Sequence, residues 1–296
     1  MCSPKVMHHV HQQLQSGTSR FDRRALFRTS AGAAATAGAL AFGSRSAFAQ
    51  SATPAATPIA GGSGVTIAAS TVVDLTHTIT PDFPVWPGNE SFQIENLSTV
   101  ANGGFYTNKI SLYEHTATHL DAPAHFVEGG LTAELLPVEN FVAPIVVIDI
   151  SARAADDPDT GVTPDDIIAW EATYGPLPAG AFVAMYSGWE ARVSDPDTFI
   201  NLDADGVQHY PGFTPDAALF LVEERDIVGI GVDTLSQDPG NSTDFGAHIA
   251  FLSAGCYGIE GMAGLGELPA IGATVIVGGP KHEAASGGPA RVLALY

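Results

Sequence analysis

His115, His119, Asp121 and His125 fall within eleven residues of one another, in the stretch HTATHLDAPAHF (His115–Phe126). All four occupy odd-numbered positions. In an extended chain alternate side chains share a side. Pro123 and the β-branched Thr116 and Thr118 disfavour one continuous helix here. The spacing therefore predicts three imidazoles and one carboxylate aimed at a common point. Neutral ring nitrogens with one hard oxygen suit Zn2+ or Mn2+, with coordination positions left for water. A lone histidine on an apolar strand is ordinarily a packed core residue. Three on one face beside an aspartate are harder to place that way, because burying them without a cation leaves polar groups unpaired.

Such a cluster needs a rigid support, and the rest of the chain supplies one. Thr107–Tyr113 alternates and reads as the strand that feeds the cluster. The run PIVVIDI (Pro144–Ile150) is apolar on both faces, as expected of a buried strand. Val72–Leu75, Ala181–Tyr186, Ile227–Val232, Ala273–Gly278 and Arg291–Leu295 read as further strands. Thr163 is placed as an N-cap with Pro164 at the first helical position and Asp165 and Asp166 in the first turn, predicting a helix to Tyr174. Thr214-Pro215-Asp216 opens a second helix, to Glu224. Strands alternate with helices in the middle of the chain and dominate its N-terminal part. The expected class is α/β, a single domain with a mixed β-sheet and flanking helices.

The ends and the composition narrow the function. Arg23-Arg24-Ala25-Leu26-Phe27, an Ala- and Gly-rich apolar run from Ala31 to Gly43 and Ala47-Phe48-Ala49 read as a twin-arginine export signal over residues 1–49, which predicts a periplasmic or extracellular protein. The apolar run is shorter than the roughly 20 residues that a membrane span needs. Residues 50–70, rich in Ala, Thr, Pro, Gly and Ser, read as a flexible linker, leaving 71–296 as the folded domain. The formal net charge is −20. Six of the 12 Lys and Arg but one of the 32 Asp and Glu lie in the first 49 residues, so the remainder keeps 6 basic and 31 acidic residues. Such a surface excludes nucleic acid and anionic lipid as partners. Cys256 is the one cysteine after residue 49, so no disulfide forms within the folded domain.

The stretch HTATHLDAPAHF resembles the HxGTHxDxPxHF signature of the metal-dependent cyclase/amidohydrolase family, which includes bacterial kynurenine formamidases and isatin hydrolases. Pro84-Val85-Trp86-Pro87-Gly88, Ser187-Gly188-Trp189, Gly231-Val232-Asp233-Thr234 and Gly287-Gly288-Pro289-Ala290-Arg291 match further landmarks in the family's order, and the likeness runs from Val72 to Leu295. Ala117 departs from it, standing where Gly is usual. The resemblance implies a swivelling β/β/α-like fold. It implies His115, His119 and Asp121 as ligands of one divalent cation, with Asp121 bridging to a second ligated by His248 and Glu260. A mononuclear manganese site is the alternative within the same family, so one or two ions per chain are expected. It implies His125 as the proton-transfer residue and Trp86 as the aromatic that lies against the substrate. A divalent cation polarises a carbonyl and lowers the pKa of bound water, to about 7 for zinc, and a histidine can pass that water's proton to the leaving amine.

The expected activity is therefore hydrolysis of a C–N bond in a small-molecule amide, either an aryl formamide or a small cyclic amide such as isatin. Ester or lactone hydrolysis is the near variant, and a polyketide-type cyclase or lyase is the rival class. Relatives are commonly dimers or tetramers, so a homo-oligomer is expected. Other residues carry plainer expectations. Cys256 is read as a buried apolar group, Trp189 as core or pocket wall, and His77 as a pocket neighbour of the Trp86 loop. Asp233 is placed behind a metal-binding histidine, Asp149 as a strand-end cap and Asp203-Ala204-Asp205-Gly206 as an acidic turn. His209 and His282 have no partner spacing.

Overall fold

The computed structural model describes residues 69–296. The expected export signal and the linker up to residue 68 lie outside the described residues. Two units are distinguished. Of the smaller, Leu97–Thr107 are described, and they hold one helical turn, α1 (Val100–Gly103). Thr99 and Asn102 cap it reciprocally, and Gly104 closes it at φ 75°. The larger unit, residues 69–96 and 108–296 among those described, carries the main sheet, both faces of the core and the candidate site.

The strands in chain order are β1 (Val72–Asp74), β2 (Gln93–Ser98), β3 (Thr107–Ser111), β4 (His119–Asp121), β5 (Val142–Asp149), β6 (Gly161–Val162) and β7 (Ala181–Tyr186). After them come β8 (Gly212–Phe213), β9 (Ile227–Val232), β10 (Tyr257–Glu260), β11 (Ala273–Gly278), β12 (Gly287–Pro289) and β13 (Arg291–Leu295). Nine of them form one mixed sheet in the order β1-β13-β11-β5-β7-β9-β10-β4-β12. The centre, β5 to β10, is parallel, and both flanks are antiparallel. Parallel strands covered on both faces read as unbroken apolar runs, and that is what Val142–Asp149 and Ala181–Tyr186 are. Ile145, Val147, Phe182 and Ala184 enter one core cluster with Leu120 and Ile259. Val146, Ile148, Val183 and Met185 enter the other.

The helices after α1 are α2 (Ser151–Asp156), α3 (Pro164–Tyr174), α4 (Pro196–Ile200), α5 (Pro215–Glu224) and α6 (Gly246–Ser253). Of these, α3, α5 and α6 cover that second face, and α4 packs Phe199 with Trp189 and Tyr210 in a separate cluster. α3 begins where its sequence predicts: the Thr163 hydroxyl accepts from the Asp166 amide, the Asp166 carboxylate accepts from the Thr163 amide, and Pro164 takes the first position. α5 starts with the Thr214 hydroxyl accepting from the Ala217 amide and Pro215 at the first position, and ends at Glu224. Ile167, Trp170, Ala217, Leu221 and Phe251 face inward, and the Trp170 indole donates to the Val147 carbonyl. The architecture is α/β, as expected. The strand predicted to reach Tyr113 stops at Ser111.

Candidate functional site

β4 is three residues long and wholly buried, and it lies between β10 and β12 near one edge of the main sheet. His119 and Asp121 project from it on one side, two residues apart. The register sets Glu260 of β10 directly opposite His119. Both neighbours of Asp121 are glycines, Gly258 on β10 and Gly287 on β12. Neither position has room for a side chain. A Cβ at Gly258 would stand 2.1 Å from the Gln237 Nε2, and one at Gly287 would stand 2.7 Å from the His115 ring. The two absences let a carboxamide and an imidazole close over Asp121 from either side.

The cluster does not lie on one extended segment, as the odd-number spacing predicts. Only His119–Asp121 pairs as strand. Ala117 turns the chain at φ 59°, in the left-handed region, a conformation that costs an L-residue roughly 1–2 kcal/mol. The turn aims the Ala117 carbonyl at the His119 Nδ1, 2.9 Å away. Pro123–His125 forms a single 3-10 turn, which swings His125 back over His115. Their rings stack with centroids 3.8 Å apart.

The expected ligands converge. His115 Nδ1 lies 2.6 Å from Asp121 Oδ1. His119 Nε2 lies 3.3 Å from both Asp121 Oδ1 and Glu260 Oε2. His248, carried by α6, brings its Nε2 to 3.1 Å from Glu260 Oε1 and 3.5 Å from Asp121 Oδ2. His115, Asp121 and His125 each bring one possible ligand atom within 4.8 Å of the others, and so do His119, Asp121 and Glu260, with Asp121 common to both groups. Two buried atoms here have no hydrogen-bond partner, His119 Nε2 and Gln237 Oε1. Buried polar groups are ordinarily satisfied. A ring nitrogen and a carboxamide oxygen left bare beside two carboxylates are what a divalent cation would satisfy, so the residues present fit one.

Charge reinforces the geometry. Burial pulls the His119 imidazole down, but the Asp121 and Glu260 carboxylates outweigh it and hold its pKa at about 10. The same opposition keeps His248 well above its ordinary range, through Asp121, Asp238 and Glu260. Burial would raise Asp121, and the His119 charge together with the close imidazoles of His115 and His248 drives it well below the carboxylate range instead. His125 moves the other way. Burial lowers it to about 4, against the opposing pull of Asp121, so at neutral pH it is an uncharged base.

Beside the cluster opens a cavity of about 280 Å3. Phe83, Trp86, Phe126, Phe199 and Phe245 line it, with His115, His119, His125, His248 and Glu260 at its polar end. Trp86 and Phe126 flank the Phe245 ring at 6.2 and 5.4 Å. Among the described residues no lysine or arginine lines it. Trp189 is core: it is fully buried, and its indole donates to the Phe199 carbonyl behind the cavity wall. His77 is not a lining residue, although its ring lies 5.7 Å from that of Phe83.

Three residues at the cluster went unread in the sequence. Gln237 donates from Nε2 to Asp121 Oδ2 at 2.6 Å, while its backbone amide donates to Glu260 Oε1. Asp238 holds His248 Nδ1 at 2.5 Å and accepts from the Ala247 and His248 amides, so it caps α6 and aims the ring together. Ser286 reaches His115. The role behind a histidine expected of Asp233 therefore belongs to Asp238. Asp233 instead accepts from the Ser187 amide and hydroxyl and from the Trp189 amide.

The remaining expectations sort simply. Cys256 is buried in the core, and burial pushes its thiol up to about 11. Asp149 accepts from the Ser151 amide at the end of β5. Asp203 closes its own turn through the Asp205 and Val207 amides. His209 and His282, which have no partner spacing in the sequence, pair with Asp159 and Asp203 and with Glu114 respectively.

Comparison with known proteins places this site in a lineage. The family model described as "Putative cyclase" matches residues 73–239. The isatin hydrolase of Roseibium aggregatum is 37% identical over 242 residues, covering 76% of this chain and 91% of that protein. The kynurenine formamidase of Salinibacter ruber is 29% identical, covering 64% of this chain and 82% of that protein. The solved structure of isatin hydrolase A from Ralstonia solanacearum superposes with a TM-score of 0.72 at 38% identity, covering 76% of this chain and 91% of that one.

Proposed function

This chain belongs to the cyclase family, and from that premise we propose that it hydrolyses the C–N bond of a compact, uncharged aromatic amide, a fused-ring lactam such as isatin being the type substrate. The protein is an amidohydrolase with isatin hydrolase and kynurenine formamidase among its relatives. The cavity supports a choice between those two chemistries. Formylkynurenine carries an amino-acid tail whose carboxylate calls for a cationic partner. The lining offers aromatic rings and histidines and, among the described residues, no lysine or arginine. A flat neutral ring fits against the wall that Trp86, Phe126 and Phe245 make, without a charge left over.

Zn2+ or Mn2+, one or two ions per chain, would be held by His115, His119 and Asp121 together with Glu260 and His248, and Gln237 adds an oxygen donor. When bound, such an ion polarises the scissile carbonyl and makes its water reactive at neutral pH. The chain's own residues do the rest. Asp238 keeps the His248 Nε2 pointed at the cluster. Trp86 and Phe245 hold the substrate ring and exclude bulk water. His125, uncharged at pH 7, takes the proton of the attacking water at a ring nitrogen and delivers it to the departing nitrogen. Its low pKa makes it a weak base and, once charged, a strong acid, which suits the second step. The export signal is read as sending the folded protein out of the cytoplasm, where it would act on an environmental compound.

The observation that carries this reading is the bare His119 Nε2 among buried carboxylates at the end of an aromatic cavity. Its test is a screen of purified protein, loaded with Zn2+ or Mn2+, against isatin, N-formylkynurenine and aryl esters. Turnover of isatin above the other two is expected. No turnover of any of them removes the hydrolase reading, and faster turnover of N-formylkynurenine removes the choice between substrates.

A further inference from the structure

We infer that Glu114 and Ser286 fix the tautomer of His115, so that this histidine meets the metal through Nδ1 while His119 and His248 meet it through Nε2. The inference rests on the metal-dependent reading above. His115 makes two ring contacts: Nδ1 faces Asp121 Oδ1 at 2.6 Å and Nε2 faces Ser286 Oγ at 3.0 Å. A serine hydroxyl has a single proton to give. Here it goes to Glu114, since Ser286 Oγ lies 2.5 Å from Glu114 Oε2, and the Ser286 amide donates to the same oxygen at 3.3 Å. Two donors on one carboxylate oxygen leave Ser286 Oγ with only lone pairs to offer. Its partner nitrogen must therefore carry a hydrogen, so His115 is Nε2–H and its Nδ1 presents a lone pair. A bare lone pair 2.6 Å from a carboxylate oxygen is repulsive unless a cation or a proton stands between them.

The other two imidazoles are tied the opposite way. His119 Nδ1 is bonded to the Ala117 carbonyl and His248 Nδ1 to the Asp238 carboxylate. Each is thereby left with Nε2 facing Asp121 and Glu260. The Ser286 tie is anchored at both ends. The Ala122 amide donates to the Ser286 carbonyl, Glu114 precedes His115 in the chain, and Gly287 provides the space in which the His115 ring lies. Glu114 and Ser286 touch no part of the cavity. They are positioning residues.

Outer partners of metal-binding histidines are worth about 10–100-fold in metal affinity. The test uses the full chain stripped of metal, titrated with Zn2+ by calorimetry, and then the zinc-loaded protein labelled with 15N-histidine. Long-range proton–nitrogen spectra separate the two ring nitrogens of each histidine. The expected result is zinc on Nδ1 of His115 with Nε2 protonated, and zinc on Nε2 of His119 or His248. Ser286→Ala should weaken zinc binding by about 10–100-fold, and Ser286→Thr, which keeps the hydroxyl, should restore it. Glu114→Gln can reverse the hydrogen-bond direction through its amide, and it should give the same loss. If Ser286→Ala does not fold, that variant carries the test. Zinc on Nε2 of His115, or a folded Ser286→Ala that binds zinc as tightly as the parent, overturns the inference and leaves the hydrolase reading standing. A parent protein that binds no zinc overturns both.

Discussion

Asp121 and Asp233 are both wholly buried, each at the end of a strand, with only β10 between those strands in the sheet. They are held in opposite ways. Asp121 is ringed by imidazoles and is driven well below the carboxylate range. Asp233 is ringed by neutral donors from Ser187 and Trp189, and burial pushes it up to about 6 in spite of them. Burial alone would raise both. The sign is decided by whether the neighbours can bear charge. The first carboxylate is therefore suited to a cation. The second ties a turn: it fixes the Ser187–Trp189 segment, and Trp189 in turn backs the Phe199 wall of the cavity.

The contrast can be broken by substitution, and the largest effect belongs to Asp121. Asp121→Ala removes the oxygen donor common to both ligand groups. Loss of one partner from a buried charged set costs about 3–5 kcal/mol, so metal affinity should fall by about 150- to 5,000-fold. Calorimetric titration reads it directly, and near-parental affinity would contradict the assignment. His125→Ala comes next. It should keep its metal, counted by elemental analysis, and lose about 100- to 10,000-fold in kcat, the span of general acid–base catalysis. Loss of the metal as well would make His125 a ligand.

On the other side of the comparison, Asp233→Asn should retain metal and cost about 2–3 kcal/mol in urea unfolding, through donors left without acceptors. The pH dependence has a definite sign. The folded pKa of Asp233 is raised from 3.8 to about 6, so its stabilising contribution is complete below the lower value and lost as pH rises through the upper one. That contribution is about 3 kcal/mol. The stability gap between parent and Asp233→Asn should shrink by about that much from pH 3.5 to pH 7, and a gap that widens would refute it. The smallest effect sharpens the Asp121 side. Ala117→Gly removes the cost of a left-handed alanine but adds backbone entropy to the unfolded chain, for a net gain of about 0.5–1 kcal/mol with metal binding unchanged.

The local signals of this fold were legible. Thr163 with Pro164, and Thr214 with Pro215, announce their helices because an N-cap is a contact between residues three apart. The apolar runs of β5, β7 and β9 announce a buried parallel sheet because both of their faces are covered. The cluster His115–His125 was legible as a cluster, but its shape was not. Alternation assumes an extended backbone, and Ala117 breaks it with a left-handed turn that packs against Gly261, just past β10, with its carbonyl oxygen 2.7 Å from where a Cβ on Gly261 would stand. Gln237, Asp238 and Ser286 were hidden because their partners stand 10 to 171 residues away. Asp233 attracted a role that Asp238 fills, since sequence cannot show which of two nearby acids faces α6.

Gly258 and Gly287 set a last condition on this molecule. The packing around Asp121 depends on two places where nothing is built, so even the smallest addition there is disruptive. A methyl group at position 258 would turn the Gln237 amide out of its berth, and one at position 287 would run into both the Leu120 carbonyl of β4 and the His115 ring. The floor beneath Asp121 admits no decoration.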